Sequence, residues 1–74
     1  MTGVTRDEWL ADFAAELGVD PPDATTVETL LALAGTAAHA SERTAAPIAC
    51  YLAGLATVDP ATAATIAAAM AGED

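Results

Sequence analysis

Most apolar side chains in this chain are single methyl groups, and that limits how it can build a core. More than half of the apolar residues are alanine; the larger ones are Trp9, Phe13, Tyr51, seven leucines and a handful of Val, Ile and Met. Alanine favours helix, but its methyl group buries little area. Seventy-four residues make one domain, residues 1–74, near the lower limit for a chain that folds alone. A core of this size rarely supplies more than about 3–5 kcal/mol of net stability. Two outcomes follow. Either helices pack closely through alanine faces, or apolar surface is left for another chain.

The expected fold is all-α, a compact bundle of about four short helices at residues 6–17, 26–40, 45–57 and 60–71. The first opens on a capping box, Thr5 with Glu8, and carries Leu10, Phe13, Ala14 and Leu17 at helical spacing, with Trp9 at the edge. Gly18 suits its C-cap, and Pro21-Pro22 blocks any continuation. A second capping box, Thr25 with Glu28, is read as the next start, with Val27, Leu30, Leu31, Ala34 and Ala38 facing one way. Gly35 inside this helix suggests close approach by another backbone. Pro47 is tolerated only in a first helical turn, which predicts a break at residues 41–44, with a continuous kinked helix as the alternative. The third helix would then turn Ile48, Tyr51, Leu52 and Leu55 inward. Asp59 as N-cap with Pro60 at the first position opens the fourth, whose apolar stripe is Ala63, Ile66, Ala67 and Met70. Gly72 ends it, and residues 73–74 form a short acidic tail. Trp9 and Tyr51 read as core, although a partly exposed Trp9 would suit an interface. Neither a strand pattern nor a repeat is evident.

The formal net charge is −9, with Arg6 and Arg43 the only basic residues. Phosphate backbones and anionic membrane surfaces need clustered Lys and Arg, so neither nucleic acid nor membrane is an expected partner; a basic protein surface is. A lone cysteine, Cys50, forms no intramolecular disulfide. The first nine residues lack the basic and apolar regions of a signal peptide, and the longest apolar run, residues 45–58, is short for a membrane span. A cytoplasmic protein is expected. The absence of Lys, Asn and Gln beside abundant Ala reads as the coding bias of a GC-rich bacterial genome.

One segment is chemically different from its apolar surroundings: His39, Ser41, Glu42, Arg43 and Thr44, followed by Pro47 and Cys50. On an uninterrupted helix, positions 39, 43 and 50 fall within about 40° of one another. Two readings are open. In the functional one, Arg43 forks a carboxylate or phosphate, and Ser41 or Thr44 caps a helix whose free N–H groups favour an anion. In the structural one, Arg43 pairs with Glu42, Glu28 or another acid and closes the helix–helix turn, and His39 caps the second helix. Catalytic residues, cofactors and metal ligands are not expected. A Cys50–His39 pair lacks an orienting group and an oxyanion hole, so Cys50 reads as a buried structural thiol. One Cys and one His are too few for zinc, and the acids lack a calcium loop's spacing; Asp20 and Asp23 read as solvated loop residues.

Residues 39–50 spell H-A-S-E-R-T-A-A-P-I-A-C, followed by Y-L-A-G, and D-E-W-L-A-D-F-A-A-E-L-G-V stands near the start. Across nearly the whole chain this resembles a small actinobacterial domain family of uncharacterised function. Its members stand alone or are joined to nucleotidyltransferase-like proteins of molybdenum-cofactor guanylylation. The resemblance implies that His39, Ser41, Glu42, Arg43, Pro47 and Cys50 matter, for packing or for binding. It implies a non-catalytic accessory domain acting on a molybdenum-cofactor nucleotidyltransferase or a molybdoenzyme. Guanylyl transfer by this chain is set aside, because it has no strand–loop–helix element for a nucleotide. Two alternatives stand beside that role: a small anionic-ligand sensor using Arg43 and His39, and a self-associating homodimer.

Overall fold

A computed structural model describes residues 4–72; the acidic tail, residues 73–74, lies outside them. The fold is all-α: α1 (Arg6–Leu17), α2 (Ala24–Ala40), α3 (Ala45–Ala56) and α4 (Pro60–Met70), with no strand among the described residues. α1 starts at the expected capping box. The Thr5 hydroxyl accepts the Glu8 N–H at 3.1 Å, and Glu8 Oε1 accepts the Thr5 N–H at 2.9 Å. It ends in a Schellman turn on Gly18 at φ 80°, where Val19 N–H donates to Ala14 O and Gly18 N–H to Ala15 O. Asp59 and Pro60 open α4 as expected, and Gly72 takes φ 80° just after its end.

The start of α2 differs from the expectation. Asp23, not Thr25, is the N-cap, and its carboxylate accepts the Thr26 N–H at 2.8 Å. An aspartate caps better than a threonine and adds a negative charge at the positive end of the helix dipole. Asp23 is thus a structural cap rather than a loop residue. α2 and α3 are separate elements, joined by a turn in which Ala45 N–H and Ala46 N–H donate to Glu42 O and Arg43 O. Pro47 sits in the first turn of α3, where its missing N–H costs nothing.

α2 is the centre of the fold. It packs against both α3 and α4, which do not pack appreciably on each other, and α1 touches the rest only lightly. Only Ala14, Leu33 and Ala63 are buried among the described residues. Contact with two helices widens the covered arc of α2, so that Leu33 is its buried residue while Leu31 is exposed. α3 is rotated from the expected orientation. Ile48, Tyr51, Leu52 and Leu55 are exposed, and the partly covered side chains are Ala45, Ala46, Ala49, Cys50 and Ala53. Small residues let α3 lie close to α2, whereas the large ones would hold the axes apart. Trp9 and Phe13 are half exposed as well, so neither they nor Tyr51 belong to the core. A Cβ on Gly35 would meet nothing within 4 Å; no backbone approaches there, contrary to expectation. The two outcomes open to an alanine-rich chain therefore both occur: close packing through small faces, and large apolar side chains left uncovered.

Candidate interaction surfaces

The polar segment forms the α2–α3 turn and the opening of α3. His39 is exposed in the last turn of α2, whose C-cap bond comes from Ser41 N–H to Ala37 O. Thr44 stands at the N-cap of α3, but its hydroxyl donates to Glu42 Oε1 at 3.1 Å rather than capping the helix. Among the described residues the only ion pair is Arg6 with Asp7, so Arg43 has no carboxylate partner there. The chain break separates the three groups that a continuous helix would align. Cys50 turns toward α2, with its thiol 4.0 Å from Leu30 O. Leu30 lies nine residues before His39 on that helix, about 13 Å along its axis. The structure thus brings Ser41, Glu42, Arg43 and Thr44 into one turn and leaves Cys50 away from His39. The thiol is free and half-buried rather than buried. Pro47 is exposed.

Two grooves open on the surface. The larger, of about 580 Å³, runs between α3 and α4 over a floor of α2. Leu33, Leu52, Ile66 and Met70 are its large apolar walls, and Thr36 and Ser41 supply its only polar side chains. It reaches the polar segment through Ala40, Ser41, Ala45 and Ala49; neither His39 nor Arg43 lines it. Such a lining accepts apolar side chains and offers an anion no cationic side chain. The smaller groove, of about 410 Å³, lies between α1 and the start of α2, from Arg6 and Leu10 across to Val27 and Leu31.

The third feature is the outer face of α1. Trp9 and Phe13, one turn apart, stack with ring centroids 5.0 Å apart and planes at 28°. They are 52 % and 47 % exposed. Asp7, Glu8, Asp12 and Glu16 share this helix. Charge is unevenly divided along the chain. Residues 4–28 hold seven acids and one arginine, and residues 29–72 hold two acids and one arginine. Among the described residues, the aromatic pair therefore sits in a strongly negative region, and the larger groove in a nearly neutral one. Helical spacing assigns Phe13 to the core and Trp9 to its edge, where partial exposure would suit an interface; the structure leaves both half exposed, and the acids on the same two turns were the signal for Phe13.

Two of the acids have structural work. The backbone N–H of Thr26, with its hydroxyl, holds the Asp23 carboxyl below the usual carboxylate value, and Thr62 does the same to Asp59. No group of three His, Cys, Asp or Glu side chains among the described residues is arranged to hold a metal ion. No helix among them is long and apolar enough to cross a membrane.

Comparison with known proteins gave no match among curated proteins or solved structures. A family model does match, over residues 1–73, and by that match the chain belongs to the family described as Domain of unknown function (DUF6457).

Proposed function

We propose that this chain is a non-catalytic protein-interaction domain that uses α1 to dock a basic, partly apolar surface of another protein. The carrying observation is the Trp9–Phe13 stack, half exposed on an acidic helix that touches the rest of the fold only lightly. Aromatic side chains are enriched at the centres of protein interfaces, because each buries a large area at low entropic cost. Carboxylates around them steer a basic partner and fix its orientation more than they add affinity. The resemblance carried by the H-A-S-E-R segment supplies the first partners to try: a cytosolic molybdenum-cofactor nucleotidyltransferase, or a molybdoenzyme awaiting its cofactor.

The test is direct binding of such a purified protein to the wild-type chain and to Trp9→Ala, Phe13→Ala and Arg43→Ala, each shown to be helical by circular dichroism. The expected result is binding by wild type, at least about tenfold weaker binding by either aromatic variant, and little change for Arg43→Ala. Failure of wild type to bind any protein of that pathway removes the pathway assignment. Binding that survives both aromatic variants but is lost with Arg43→Ala moves the contact to the α2–α3 turn.

A further inference from the structure

The groove between α3 and α4 is uncovered, and α1 does not reach it. We propose that a second copy of the chain fills it, the two molecules meeting α3–α4 face to α3–α4 face about a twofold axis. The inference goes beyond the α1 docking role and does not depend on it.

The first argument is area. A folded monomer of 7.3 kDa has an accessible surface of about 4,200 Å². This chain exposes 5607 Å². The excess, about 1,400 Å², falls within the roughly 1,000–2,500 Å² that each partner buries in a stable homodimer. Part of the exposed apolar surface lies on this face: Leu52 is 55 % exposed, Ile66 52 % and Met70 84 %.

The second argument is charge. A twofold interface sets each patch against itself, so a charged patch repels its own copy. Among the described residues this groove has no charged lining residue, although the chain as a whole carries −9. The acids concentrate on α1 and the start of α2 instead. A basic partner finds nothing to pair with in the groove; a neutral, self-complementary surface suits it.

The third argument is constancy. A chain with three buried residues among those described has little to hold it folded, so its exposed apolar face needs a cover present whenever the chain is. Another copy meets that need from synthesis onward. Occupation of the groove also places Leu52, Ile66 and Met70 in a shared core, as the missing layer of a helical bundle.

Sedimentation equilibrium and thermal unfolding, each over about a hundredfold range of protein concentration, test the proposal. The expected mass is twice the 7.3 kDa chain, with a Tm that rises with concentration. Leu52→Glu and Met70→Glu are expected to weaken association at least about thirtyfold, whereas Leu31→Glu, in the other groove, leaves it intact. Unfolding of Met70→Glu also supports the proposal, because a side chain 84 % exposed in the single chain has no fold of its own to lose. A 7.3 kDa monomer with a constant Tm over the whole range overturns it. So does a dimer that survives both groove variants.

Discussion

Thr57 closes α3 in the left-handed region, at φ 58°, ψ 28°. A β-branched side chain there is held close to its own backbone, and the strain is about 1–2 kcal/mol. Its hydroxyl donates to Ala56 O at 2.6 Å, which offsets part of that cost. Thr57→Gly is expected to stabilise the chain by about 1 kcal/mol in urea unfolding, with Thr57→Asn between the two. Gly35 and Gly54 pose the opposite case. Both lie inside helices, and a Cβ on either meets open space. Gly35→Ala is expected to gain about 1 kcal/mol by its helix propensity. A loss instead would mean that a neighbour occupies that space in solution. Residues that punctuate helices were the most legible ones, since capping depends on three or four adjacent positions. Thr5 with Glu8, Gly18, and Asp59 with Pro60 all act as their spacing predicts. Asp23 was not recognised because Thr25 and Glu28 match the same template two residues later. The choice between two caps rests on the stronger carboxylate.

At the scale of elements, α1 is held largely by its own ends. A twelve-residue helix is marginal in water, and this one receives little tertiary support. Thr5→Ala removes half of its capping box and is expected to cost about 1 kcal/mol of helix stability. Hydrogen exchange should report the loss in residues of α1 alone, with protection of α2 and α4 unchanged. α2 and α4 instead depend on ionised caps. The folded-state values of Asp23 and Asp59 lie below the ordinary 3.8, so the unfolded chain takes up protons first as pH falls. Their contribution is therefore fully present above about 3.8 and is lost as pH drops through the lower folded values. A double Asp23→Asn, Asp59→Asn variant keeps the cap acceptors and removes the titration. Its Tm deficit relative to wild type should be constant near neutrality and vanish in acid; a constant deficit at every pH would refute the assignment. Helix number and bounds were legible, yet the orientation of α3 was not. Periodicity assigns the largest side chains inward, and α3 carries two apolar stripes, one large and one small. Which of them faces α2 depends on how closely the axes approach, and residue spacing carries no information about that distance.

Across the whole molecule, most of the acids lie in residues 4–28 and few near the larger groove, so the two proposed docking surfaces should answer differently to salt. The acidic composition was plain in the sequence; its concentration in residues 4–28 is plain there too, but its meaning depends on α3 and α4 standing apart. The polar segment at residues 39–44 drew attention by contrast with its surroundings, whereas the structure gives it a solvent-facing turn at one end of the larger groove. A partner docked on the Trp9–Phe13 face of α1 would meet Glu8, Asp12 and Glu16 beside it. Those charges are screened over a Debye length of about 10 Å at 0.1 M salt and about 3 Å at 1 M. Affinity at α1 should therefore fall steeply between these conditions, mainly through slower association. Two copies meeting through the larger groove bring together no charged lining residue among those described. Their contact is apolar, so raising salt should leave the dimer as strong or make it stronger, since screening also relieves the repulsion between two chains of charge −9. Both dissociation constants can be followed in the same buffers, by Trp9 fluorescence for the partner and by sedimentation for the dimer. Opposite salt slopes are the expected result. A dimer that dissociates as salt rises would rest on attraction between opposite charges, which the groove lining does not supply, and would overturn the groove as the contact between copies.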